Sequence, residues 1–229
     1  MSTSRGTVAL DRTDPAPHSG SPAFAALSAR ERLLLAAMEC VGQWGVTKTT
    51  VDDVARVAGC GRATVYRLFP DGKPELFRSA AQANISRLLH QLGEELRSAE
   101  SLEELAVSGV HGAATLSAES PAFQYLLEHE PHVAAPHLSF QRLELLLATA
   151  RVVIGPLVQR FVDPVAADRL VELGARVVVS YTFLPEPGLD LTDLATARRV
   201  TRRYILDPLA ASLDPSERST VPSLDQPTT

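Results

Sequence analysis

Between Val51 and Leu68 the chain reads VDDVARVAGCGRATVYRL, and the placing of its small residues leaves few folds open. Two short helices can cross steeply over a turn of three or four residues only where nothing bulky stands at the crossing. Ala55 occupies the point of closest approach in the first helix. Gly59 falls where that helix ends and the backbone calls for a positive φ. Val54, Ala58, Cys60, Val65 and Leu68 are spaced to bury the inner faces of the pair against a third helix. Thr50 supplies an N-cap, with Asp53 three residues on at the positive end of the helix dipole, and Gly61 precedes the second helix. The expected unit is a helix-turn-helix.

On a wheel of ~100° per residue, Val65, Leu68 and Phe69 fall on one side of the second helix, Ala63 and Arg67 opposite them, and Thr64 and Tyr66 on the flanks. The outer face suits a DNA major groove. Arg62 and Arg67 can reach base edges or phosphates, small Ala63 permits close approach and contact with a thymine methyl, and Thr64 and Tyr66 can hydrogen-bond the groove walls. An ordinary helical hairpin with Arg62 and Arg67 as solvated charges would not need Ala, Gly and five apolar positions in this register.

Upstream, Ser28 and Glu31 form a capping box that opens a helix carrying Leu34, Ala37, Met38 and Val41 on one stripe and ending near Gly42 to Gly45. Downstream, a turn at Asp71-Gly72 restarts a helix with Pro74 in its first turn. The run AAMECVGQWGVTKTTVDDVARVAGCGRATVYRLFPDGKPELF resembles the N-terminal domain of the tetracycline-repressor (TetR) family of transcription regulators, over roughly Ser28 to Ala80. The resemblance implies a homodimer that reads a palindromic DNA operator. Each protomer would join a three-helix DNA-binding domain to a larger helical domain that binds a small-molecule effector and so releases the DNA. Carried over residue by residue, it assigns Arg62, Ala63, Thr64, Tyr66 and Arg67 to DNA, Thr50 to a phosphate at the start of the preceding helix, and Lys73 to the backbone. Thr47, Lys48 and Thr49 are further candidates beside the same strand. Three departures stand out: Gly61 replaces a common Ser or Thr, Leu68 stands where a polar residue is frequent, and the turn before Lys73 is one residue longer. Repression rather than activation follows from the resemblance alone.

A net charge of −5 looks wrong for such a role until it is divided along the chain. Residues 28–80 carry eight basic and six acidic side chains, whereas residues 81–229 carry twelve and nineteen, so the acidic part is expected to face away from the phosphates. Residues 1–27 read as a flexible arm, 28–80 as the DNA-binding domain, 81–213 as the ligand-binding and dimerisation domain and 214–229 as a tail. Cys40 and Cys60 read as small buried hydrophobes rather than a disulfide. Neither a signal peptide nor a membrane span is apparent, which places the protein in the cytoplasm. No phosphate loop, nucleophile elbow or zinc-protease motif occurs, so neither catalysis nor a cofactor is expected. A DNA-packing protein would not need so large an acidic second part.

That second part reads as helices over 74–97, 102–116, 121–128, 137–161, 165–184 and 191–209, giving an all-α chain; the strand-like composition of Val177 to Leu184 lacks a partner strand. In the family the last two long helices build a four-helix dimer interface, which here puts forward Leu170, Leu173, Val177, Tyr181, Leu194 and Tyr204. A cavity lined by the helices from Leu102 onward would offer His111, Gln124, Tyr125, Arg142 and Arg176 as polar groups. His129, His132 and His137 are close enough to suggest a metal, but Pro131 and Pro136 break the helix that would aim their rings at one ion. Arg198, Arg199, Arg202 and Arg203 read as a solvated or acid-paired face.

Overall fold

The computed structural model describes residues 22–134, 140–184 and 186–213, and among them every regular element is helical. The expected arm and tail therefore fall mostly outside the described residues, as do His137 and the side chain of Arg142. After a single turn, α1 (Pro22–Ala25), comes α2 (Ala29–Lys48), opened by the expected capping box: the Ser28 hydroxyl accepts from the Glu31 N–H at 3.2 Å and Glu31 Oε2 accepts from the Ser28 N–H at 2.8 Å. α2 breaks at Gly45, whose φ of 78° and ψ of 172° lie outside helical space. α3 (Val51–Val57) and α4 (Arg62–Leu68) are the crossed pair, and α5 (Lys73–Glu95) leads away from them for more than six turns before a 3₁₀ turn at Leu96–Ser98.

The remaining helices are α6 (Leu102–Ala118), α7 (Pro121–His129), the single turn α8 (Pro131–Ala134), α9 (Phe140–Val158), α10 (Pro164–Phe183), α11 (Leu194–Thr201) and α12 (Asp207–Leu213). A π-helical stretch, Arg202–Leu206, joins the last two. Val177 to Phe183 is helical, as the missing partner strand required. α11 begins three residues later than Leu191 because Asp193 caps it, accepting from the Thr196 N–H at 2.8 Å, while Leu191 is buried in the preceding turn.

Two apolar clusters organise the chain. The first gathers Leu33, Ala37, Cys40 and Trp44 of α2 with Val54, Ala55, Val65, Phe69 and Leu76. The second joins Leu92 and Leu96 to Leu105, Val110, Ala150, Ile154, Leu170, Ala197, Val200 and Ile205. α5 contributes to both, and α7 packs along α2. Both cysteines are free; burial pushes the Cys40 thiol up to about 12, so it acts as a small apolar group. Arg202 pairs with Glu103 through two contacts of 2.8 Å, in line with the acid-paired reading of that arginine row.

Candidate nucleic-acid interface and adjoining cavity

The crossed pair is held by local geometry of the expected kind. Gly59 has φ +66°, and the turn closes with Cys60 N–H on Ala55 O at 2.9 Å. Ala55 is buried at the crossing. Arg32 of α2 staples the turn from outside, donating to the carbonyls of Ala58 at 3.2 Å and Leu27 at 2.8 Å. Only the fold reveals this clamp, because its two ends are 26 residues apart.

Inside α4, Val65 is buried, Phe69 just beyond its end is buried beneath the Arg30 guanidinium, and Leu68 is half-buried against the first cluster. Arg62, Ala63, Tyr66 and Arg67 are exposed and Thr64 half-exposed, so the helix presents the face expected of it. Arg67 has no hydrogen-bond partner among the described residues. Arg62 is engaged: its guanidinium meets Asp52 Oδ2 at 2.8 Å, donates to the Tyr66 hydroxyl at 3.3 Å and lies over the Tyr66 ring. The Tyr66 hydroxyl and Asp52 together push Arg62 further above its already high pKa. Asp52 is a partner that sequence reasoning missed; ten residues separate it from Arg62, and only the helix crossing brings them together.

Two threonines fall differently from expectation. Thr49 is 0 % exposed, and its hydroxyl donates to Gly45 O at 2.6 Å and to Cys40 O at 3.3 Å. It closes the chain after the Gly45 break and presents nothing to a DNA strand, which corrects its assignment as a contact. Thr50 is exposed, but its hydroxyl donates to Asp53 Oδ2 at 2.7 Å and accepts from the Asp53 N–H at 3.2 Å. It is a helix cap first, and a phosphate would have to displace a carboxylate to use it.

The stretch after Gly45 is tied to both parts of the chain. A Cβ on Gly45 would lie 2.6 Å from both Glu130 Cδ and Tyr125 Cε1, so only glycine fits beneath α7. Glu130, 6 % exposed, accepts from the Val46 N–H at 2.7 Å and the Thr47 N–H at 3.1 Å. Burial pushes the Glu130 carboxyl up, but hydrogen bonds from Thr47 and Val46, with His132 nearby, outweigh it and hold the carboxyl below its usual range. On the other side, half-buried Lys73 donates to Thr47 O at 3.3 Å, with its ammonium 5.7 Å from the centre of the Phe77 ring.

A cavity of about 650 Å³ runs through the second part, lined by α5, α6, α9 and α10 and reaching Met38, Val41 and Val46 of α2 at one end. Its walls are overwhelmingly aliphatic. Of the proposed polar ligand contacts, His111, Gln124, Tyr125 and Arg176 do not line it. His111 Nε2 lies 3.0 Å from Thr192 O, Gln124 donates to Ser117 O at 3.2 Å, Tyr125 stacks on His129, and Arg176 pairs with Glu172 at 2.8 Å. Gln124 lines a separate cleft of about 780 Å³ between α6, α7 and the end of α10, with Glu128, Glu186 and Asp190 on its rim. Among the interface candidates, Leu173, Leu194 and Tyr204 are exposed and Val177 and Tyr181 half-buried. Leu170 is only 6 % exposed and belongs to the protomer's own core, which corrects its placement at an interface. His129 and His132 are exposed, and no three potential metal ligands cluster among the described residues. Nor is any described helix long and apolar enough to cross a membrane.

Residues 33–80 match the family described as bacterial regulatory proteins, tetR family. The chain is 38 % identical over 61 residues to uncharacterized HTH-type transcriptional regulators of Mycobacterium bovis and Mycobacterium tuberculosis, a match covering 27 % of this chain and 32 % of theirs. It thus spans about a third of the length of the curated relatives it matches. Among solved structures, AlkX, a TetR family repressor from Dietzia sp. strain DQ12-45-1b implicated in n-alkane biodegradation, superposes with a TM-score of 0.62 at 20 % identity, over 79 % of this chain and 96 % of that one. The fatty acid degradation regulator FadR from Bacillus halodurans gives 0.51 at 17 % identity, over 76 % of this chain and 94 % of that one. At these identities the likeness speaks for the fold alone. Residues 33–80 thus match the tetR family of bacterial regulatory proteins and sit within a fold like that of the solved TetR family repressor.

Proposed function

We propose that this chain is a DNA-binding transcriptional repressor that acts as a homodimer on a palindromic operator and is released by a small-molecule effector. The observation that carries DNA binding is the outer face of α4, where Ala63, Tyr66 and unpartnered Arg67 stand exposed on a helix whose other side is anchored by Val65 and Phe69. Arg62 joins them by exchanging Asp52 for a phosphate or base edge, and Thr64 and Lys73 flank the face. Residues 28–80 serve as the DNA-binding domain and 81–213 as the effector and dimer domain.

Two such faces must stand about 34 Å apart to read half-sites one helical turn apart. A dimer through α10 and α11 is supported by large apolar side chains left exposed there, including Val165 at 64 %, Leu173, Leu194 and Tyr204. The aliphatic cavity supports the effector. Selection of bound sequences from random DNA, followed by gel shift, tests the proposal. A palindromic site preferred by at least ~10³-fold over random DNA at physiological salt, and lost in Arg67→Ala without loss of the dimer, is the expected result. Full affinity in Arg67→Ala would refute the docking.

A further inference from the structure

We propose that the cavity takes a long-chain aliphatic carboxylate, with its tail along α5 and its carboxylate at Arg78 and Gln82. This rests on the effector-responsive reading above and names the class of ligand. Shape comes first. α5 and the turn after it line the cavity from Pro74 to Leu96, a distance of about 33 Å at 1.5 Å per residue. Most of the side chains along that length are hydrocarbon, which suits a long aliphatic chain. An extended chain advances about 1.2 Å per bond, which lets a sixteen-carbon molecule lie within the slot with room to spare.

Polar side chains are few among the lining residues: Asn84 Oδ1 accepts from Arg87 at 3.0 Å, and Ser120 stands at the head of α7. Within the walls, the hydroxyls of Ser117, Thr149 and Thr182 are all spent on carbonyls one turn back in their own helices, at 2.8, 2.9 and 2.6 Å. Arg78 and Gln82, exposed one turn apart on the first half of α5, have no hydrogen-bond or ion-pair partner among the described residues. Both are exposed, so a carboxylate there can meet a guanidinium and an amide while still touching water, and the chain behind it meets mostly carbon. An uncharged hydrocarbon would leave these two groups unused; a compact polar effector would leave the aliphatic slot unfilled.

Gly174 provides a plug. It lines the slot from α10, and a Cβ there meets no atom within 4 Å. Gly174→Leu starts its side chain in open space on the cavity wall and projects it into the channel, and replacing a helical glycine does not weaken the helix. The test uses the full-length protein with hexadecanoate, dodecanoate and methyl hexadecanoate, followed by calorimetric titration and melting. Hexadecanoate is expected to bind saturably and raise the melting temperature. Each methylene contributes about fourfold in affinity, so dodecanoate should bind more than tenfold more weakly. Arg78→Gln should weaken hexadecanoate at least fivefold and leave the methyl ester unchanged, and Gly174→Leu should abolish binding of both with no loss of melting temperature. No saturable binding, equal binding of the two chain lengths, an equal loss for acid and ester in Arg78→Gln, or retained binding in Gly174→Leu would each overturn the proposal. A parallel gel shift on the selected operator separates the two readings. Hexadecanoate that binds without releasing DNA upholds the ligand class and removes the effector role, whereas release by a compact aromatic molecule alone upholds the regulator and overturns the aliphatic slot.

Discussion

Replacing Glu130 by Gln removes the charge from a buried carboxylate that holds the backbone N–H groups of Val46 and Thr47 at 2.7 and 3.1 Å. Hydrogen bonds to charged groups contribute about 1.5–3 kcal/mol each, and an orphaned buried donor costs about 1–3 kcal/mol. Thr47 is exposed and can turn its N–H to water, while Val46 is half-buried and cannot do so fully. Gln keeps one acceptor but points its amide at the other donor, so the net cost is about 2–3 kcal/mol. For a chain of this size that lowers the melting temperature by about 4–12 °C. Because the folded carboxyl titrates below its unfolded value, its contribution is complete above the ordinary carboxylate pKa of about 4.3 and is lost as pH falls through the lower folded value. The gap between wild type and Glu130→Gln should thus be full at pH 7 and narrow in acid below pH ~4. Amide exchange at pH 7 should speed up at Val46 and Thr47 well before Val54 and Val65. A Glu130→Gln protein melting within a degree or so of wild type at pH 7, or a gap that widens in acid, would refute the reasoning.

Gly45→Ala should be more damaging, since the new Cβ meets Glu130 and Tyr125 at 2.6 Å on a backbone with φ of 78°; a loss of more than about 3 kcal/mol in urea unfolding is expected. Lys73→Ala should weaken binding to all DNA sequences alike and reduce the salt slope by about 1, and a changed base preference would displace Lys73 from the phosphate role. Leu173→Glu, at an exposed apolar position of α10, should yield monomers in sedimentation while leaving helix content intact. A stable dimer would place the interface elsewhere.

What the sequence disclosed depended on distance along the chain. The capping boxes at Ser28 and Thr50, the turn at Gly59 and the inward and outward faces of α4 are set by residues within a few positions of one another, so spacing alone reveals them. Thr49 was misread because one step separates a buried residue from an exposed one at the end of a broken helix. Leu170 was misread because α10 is apolar on two sides, one facing its own core and one facing outward, and periodicity cannot tell which is which. A cavity among the helices from Leu102 onward was expected, but its lining was not legible for a related reason: a helix face that lines a void carries the same aliphatic pattern as one that meets another helix. The polar residues His111 and Arg176 are occupied with partners outside the cavity.

On the proposed function, coupling between ligand and DNA would need an element that both sites bias, and residues 45–49 are placed to be that element, since they touch both parts of the chain. The Val46 side chain lines the end of the cavity while its N–H is held by Glu130 at the end of α7. Thr47 is fixed through its N–H to the same carboxylate and through its carbonyl to Lys73 at the head of α5. Thr50, which caps α3, follows directly. Phe123 and Leu126 of α7 also face the cavity, so a chain lying there touches the helix that carries the clamp as well as the segment it clamps. An effector can shift operator affinity only to the extent that it fits one arrangement of this joint better than another. Glu130→Gln loosens the joint without altering a residue that lines the slot or the outer face of α4, so it should change the effector's leverage on DNA more than its affinity for the free protein. Equal operator release by a saturating effector in wild type and Glu130→Gln would show that the signal travels by another route.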